Sequence, residues 1–282
     1  MAPKAPRTVR PLRWTMLGTA AATGLAFGQV AAVATFVATP AHAQSASESG
    51  EAGESATVAP ASEAGEAGES GAITSDGVAH YLTELGLFEA AHRIVAELYA
   101  QGEVALAQEH LADSHHAYYE DLEHEIEENG GIDFEDEAEA FADAVNSGAA
   151  PDIVAAAAEA VIAAIKAADA ASEATDYDRA MSIKDLLAVA AADYEGGVYE
   201  GKVDAPQEYR DAWGFVETAR TRADALAASA NEGSAKAGTA ILEQIASLSP
   251  LFPELTAAEA GGDPELLPSA AAWTEIIALR IK

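Results

Sequence analysis

Cysteine is absent from the 282 residues, methionine occurs three times, and 15 Lys and Arg stand against 47 Asp and Glu. Each shortage excludes something. Without cysteine there are no disulfides, thiolate metal sites or covalent haem attachment, so stability has to come from packing alone. Past residue 43 the single methionine is Met181, too little thioether for a soft Cu(I) site. The formal charge of −32 repels nucleic acid and anionic lipid head groups and draws cations. No stretch beyond Val37 is long and apolar enough to cross a bilayer, so that part of the chain is not itself a helical channel or permease. Histidine does not recur after His124.

What is present begins with Lys4, Arg7, Arg10 and Arg13, an uncharged apolar stretch from Trp14 to Val37, and Ala41-His42-Ala43 before Gln44. This order predicts a secretory signal over residues 1–43, cleaved after Ala43, and hence a periplasmic or extracellular product. The length of the apolar stretch leaves an uncleaved N-terminal anchor as the alternative. Residues 44–75 are Ser, Glu, Gly and Ala, with Gly-Glu-Ala-Gly-Glu-Ser at Gly50 and again at Gly65. They carry too little apolar surface to offset their ordering entropy, which predicts a disordered acidic tether.

Residues 76–282 read as an all-α, up-and-down antiparallel bundle of seven to eight helices, forming one domain or two bundles that share an interface. Val78, Tyr81, Leu85, Phe88, His92, Val95 and Tyr99 recur at three-four spacing and predict a first helix ending near Gln101-Gly102. A second is expected from Glu103 to Glu128, with Val104, Leu111, His115, Tyr118 and Leu122 on its inner face, stopping at Asn129-Gly130-Gly131. Further helices are expected at 133–146, 151–170, 177–193, 206–230 and 233–247, and a last one opens at Pro268.

The histidines concentrate in the first hairpin, residues 76–128: His80, His92, His110, His115, His116 and His124. Imidazole is the commonest neutral metal ligand and titrates near neutral pH. In a hairpin turning at Gly102, His92 falls near the level of Leu111, with His110 and His115 within about a turn. Oxygen donors lie close in sequence at Asp113, Tyr118, Tyr119, Glu120 and Asp121. A second arrangement stacks His116, Glu120 and His124 at four-residue spacing along one helix. The expected metal ligands are therefore His92, His110, Asp113, His115, His116, Tyr119 and Glu120. Nitrogen and oxygen donors suit iron, zinc, manganese or Cu(II).

Other chemistry finds little purchase. Glu89-x-x-His92 has the spacing used in di-iron carboxylate bundles, but glutamate is frequent enough to produce such a match by chance. The acidic run from Glu120 to Asp143 lacks the glycine and alternating oxygens of an EF-hand loop. No phosphate-binding glycine loop, nucleophile elbow or His-Glu-x-x-His motif occurs.

Asp193-Tyr194-Glu195-Gly196-Gly197-Val198-Tyr199-Glu200-Gly201-Lys202-Val203, followed by Glu208-Tyr209, resembles Asp-Tyr-x-x-x-Val-x-x-Gly-Lys-Val in the exported helical region that precedes the membrane part of bacterial high-affinity iron permeases. The first hairpin is similar to relatives with a His late in helix one and a His-rich helix two, matched by His92, His110 and Tyr119. The resemblance spans about residues 76–230. It implies a helical bundle that handles iron beside a membrane transporter. The chain departs from the pattern at Asp113, where a second His is expected, and at Ala117, where an acid is expected. It also lacks the Arg-Glu-Gly-x-Glu element of the permease membrane part and the Gly-x-His-x-x-Glu motif of imelysin-type proteins.

These features predict an exported helical protein that binds a transition metal, with iron favoured by the resemblance, and serves uptake or storage beside a membrane metal transporter. The alternative is a non-catalytic interaction module whose histidines sense pH. A di-metal enzyme would need two bridged ions and a substrate pocket.

Overall fold

The computed structural model describes residues 71–282; the signal and most of the tether lie outside the described residues. Among the described residues the chain forms nine α-helices and one short hairpin. The first is α1, Gly77–Ala100, ending as the periodicity predicts: Gly102 takes φ 85° and Glu103 N–H donates to the Leu98 carbonyl at 2.9 Å. Glycine adopts that backbone without the clash a Cβ would make, and the bond satisfies a carbonyl left over by the last turn.

The expected second helix is two. α2 runs Val104–Asp113, a 3-10 turn covers His115–Ala117, and α3 runs Tyr119–Glu128. Ser114 and Tyr118 are both extended, with ψ 116°. The break is held by groups that satisfy the freed carbonyls: the Tyr118 hydroxyl donates to Ala112 O at 2.9 Å, and Gln207 Nε2, from a distant helix, donates to Asp113 O at 3.3 Å. His115 and Tyr118, expected on the inner face, are consequently exposed. Residues 116, 120 and 124 no longer share one helix, so the expected His116-Glu120-His124 stack is not formed.

Then follow α4, Glu135–Asn146, α5, Pro151–Ala171, and α6, Asp176–Gly197. Thr175 and Asp178 form a capping box at the start of α6, Asp178 N–H to Thr175 Oγ1 at 3.2 Å and Thr175 N–H to Asp178 Oδ2 at 2.8 Å. Within the Asp193–Val203 segment lies a hairpin, β1 Val198–Tyr199 with β2 Lys202–Val203, turning at Glu200 and Gly201. It returns the chain to α7, Pro206–Ala227, then α8, Glu232–Ala246, and α9, Leu266–Ala278. Asn231 Oδ1 caps α8 by accepting from Gly233 and Ser234 N–H.

Helices α6 to α9 pack as a four-helix bundle around Ile183, Leu186, Phe215, Ile241, Leu248 and Leu267. A second apolar cluster gathers α2 to α5 on α1, around Tyr81, Leu85, Leu98, Phe134, Phe141 and Ile165. α1 serves both: Leu87 and Ala90 join the first cluster while Leu85, Phe88 and Val95 join the second. Its crossing with α7 is close because Gly214 has no side chain; a Cβ there would lie 2.5 Å from Ile94 Cδ1 and 3.2 Å from Ala90 O. Thr74 and Ser75, assigned to the tether by composition, are held: both N–H groups donate to the buried Asp185 carboxylate at 3.2 Å.

Candidate functional site

The C-terminal turn of α2 lies against the N-terminal turns of α7, a contact recorded by Gln207 on Asp113 O. Two buried ionisable groups meet there. His110 is 2% exposed, Asp211 is 5% exposed, and His110 Nε2 lies 3.4 Å from Asp211 Oδ1. The contact is too long for a well-formed N–H···O bond, and neither ring nitrogen of His110 nor Oδ1 of Asp211 has a hydrogen-bond partner. Ser114 Oγ, fully buried at the end of α2, and Nη1 of Arg210, beside Asp211, are also without one. Buried polar groups are nearly always hydrogen-bonded, since leaving one unpaired costs about 1–3 kcal/mol. Several such unpaired groups gather at the junction of these two helices.

Arg210 folds back along α7, Nε donating to Pro206 O at 2.8 Å. Burial pulls its guanidinium below the usual range, opposed by the charges of Asp211 and Glu109.

The other expected ligands are distributed around this junction or away from it. The rings of His115 and His116 lie with centroids 3.8 Å apart, tilted by 44°, and His116 meets Phe215, one turn beyond Asp211, edge-on at 5.3 Å. His115, Asp113 and Glu120 are exposed. His92 sits in the α1–α5 core, its Nδ1–H donating to Phe88 O at 2.8 Å and its ring against Phe88 and Phe141 at 4.2 and 5.1 Å. Burial pushes His92 down to about 4, against a smaller upward pull from the Phe88 carbonyl. The Tyr119 hydroxyl donates to Asp133 Oδ1 at 2.9 Å and accepts from Phe134 N–H at 3.2 Å, closing the loop before α4. Burial raises this phenol, the Phe134 bond lowers it, and Asp133 raises it further.

Among the described residues no group of three or more His, Asp and Glu is arranged to hold a metal ion. The Glu89-x-x-His92 pair does not converge on one site either. Glu89 is engaged by Arg93 at 2.6 Å and by Arg222 at 3.7 Å, whereas His92 faces Phe88 and Phe141.

Sequence reading missed Asp211, Arg210 and Ser114. A signal existed for one of them: Asp211 falls four residues before Phe215 and seven before Thr218, on a buried seam of α7. An acid on such a seam needs a partner.

Comparison with curated proteins and with solved structures yields no match for this chain. Residues 170–272, which carry the Asp193–Val203 segment, Asp211 and nearly all of the α6–α9 bundle but none of the histidines, match the iron permease-associated 4-helix bundle domain.

Proposed function

We propose that this is an exported metal-binding protein that handles iron as cargo beside a membrane transporter, with His110 and Asp211 as the core of its metal site. One observation carries the reading: two buried side chains of metal-ligand type face each other at 3.4 Å without a hydrogen bond. Two ligands on one ion, with bonds of about 2.1 Å at a tetrahedral angle, stand about 3.4 Å apart. The likeness of the α6–α9 region to an iron permease-associated domain favours iron over zinc, manganese or Cu(II), all of which accept imidazole and carboxylate. Export is inferred from residues 1–43. Among the described residues no helix is long and apolar enough to cross a membrane, so transport itself would fall to a partner.

The test is calorimetric titration of chelator-stripped protein with Fe(II), Fe(III), Zn(II), Mn(II) and Cu(II), beside His110→Ala and Asp211→Asn. Submicromolar binding by the parent that both variants lose supports the assignment. Weak binding equal in all three proteins would mean that cations only collect on a diffuse acidic surface.

A further inference from the structure

The junction of α2 and α7 offers more than metal ligands. Its metal-ligand side is the C-terminal end of α2, where the helix dipole is negative and where His110 and Asp211 meet. Facing it is the first turn of the 22-residue helix α7, which begins at Pro206 and carries the acidic Glu208. Into that turn folds Arg210, 7% exposed, tethered by Nε to Pro206 O and with Nη1 buried and unpartnered. Ser114 Oγ, a further buried donor without a partner, ends α2 at the same junction. A guanidinium fork with a free N–H and a buried hydroxyl are donors that receive a planar oxyanion.

Resting on the metal reading above, we propose that the site takes its metal together with one small planar oxyanion, carbonate or a carboxylate, held by Arg210 and Ser114. The charges argue for a pair. Asp211 and Glu109 together exceed Arg210 by one negative charge, so a divalent ion alone would leave about one uncompensated positive charge, and an accompanying anion offsets it. The anion also gives the orphaned Nη1 and Oγ the partners they lack.

The probe is Fe(II), titrated anaerobically into carbonate-free, metal-stripped protein at fixed ionic strength in sodium chloride, sodium bicarbonate or sodium acetate. Bicarbonate or acetate should tighten Fe(II) binding by about tenfold over chloride, the worth of one added charge-assisted hydrogen bond. A gain with bicarbonate alone identifies carbonate; a gain with acetate identifies the carboxylate of a chelate or peptide. Arg210→Gln should bind Fe(II) in chloride at least as tightly as the parent, since it removes a positive charge, and should lose the gain; Arg210→Lys should keep part of it, with circular dichroism confirming both folds. Equal Fe(II) affinity in the three salts, or an equal gain in Arg210→Gln, overturns the inference and leaves the metal site standing. No Fe(II) binding in any salt removes both.

Discussion

Arg222 of α7 reaches Glu89 of α1, Nη2 to Oε2 at 3.7 Å, beneath the surface of the helix crossing. Arg93 holds the other carboxylate oxygen at 2.6 Å, and Arg222 also donates to Leu82 O and to Ser182 Oγ. Removing one partner of a buried pair strands the other's charge, which costs about 3–5 kcal/mol. Glu89→Leu should therefore lose roughly 3 kcal/mol in urea denaturation, and Glu89→Leu with Arg222→Leu should lose less than Glu89→Leu alone. A double variant less stable than the single one would show that Arg222 acts through contacts other than Glu89.

His92 makes stability fall with acid. Its folded pKa of about 4 lies below its ordinary 6.5, so the unfolded chain takes up the proton first. The contribution is complete above about pH 6.5, declines as pH falls toward 4, and is constant below; the span is worth roughly 3 kcal/mol. His92→Leu should flatten this part of the stability–pH curve, measured by denaturant titration at several pH values. Parallel curves for parent and variant would mean that other groups govern the acid response.

The orphaned junction predicts a trade between stability and binding. In metal-free protein the double variant His110→Leu, Asp211→Leu should leave the melting temperature unchanged or raise it, because it removes both unpaired buried groups and strands neither. In the parent, metal at about a hundred times its dissociation constant should add about 2.7 kcal/mol, a gain the variant should not show. Calorimetric melts with and without metal measure both, and a large loss in the metal-free variant would make His110 and Asp211 structural residues.

Asp185 anchors the segment leading into α1 by accepting from Thr74 and Ser75 N–H, while Lys184 Nζ, 2.6 Å from Asp185, also donates to Thr74 Oγ1 at 2.5 Å. Asp185→Ala should speed amide exchange at Thr74 and Ser75 before it affects the centre of α6. Unchanged exchange there would show that the segment is held by Ala72 and Ile73, which pack on the α6–α9 core.

Gly214→Ala places a methyl against Ile94 and should cost about 1–3 kcal/mol. Ile94→Val in the same chain should recover part of that loss, since the crowded Cδ1 is removed. Additive losses in a double-variant cycle would place the strain elsewhere.

Most helix limits were legible because their causes are local. Gly102 after α1, the Thr175–Asp178 box before α6 and Pro206 at the head of α7 act within a turn of their own positions. The exception was the stretch from Glu103 to Glu128. Its periodicity reads as one helix, but the extended residues Ser114 and Tyr118 divide it, with Gln207 satisfying a carbonyl at the break from 94 residues away. That division turned His115 outward and left His110 facing α7.

The sequence alone determined an all-α chain, strongly acidic, without thiol chemistry, with its imidazoles in one early segment, because composition and three-four spacing do not depend on what packs where. Only the tertiary structure decided which imidazole meets a buried carboxylate. His110 resembles its neighbours along the chain, and Asp211 is one acid among 47 Asp and Glu. They become a pair when α7 packs on α2, and that contact is what buries both.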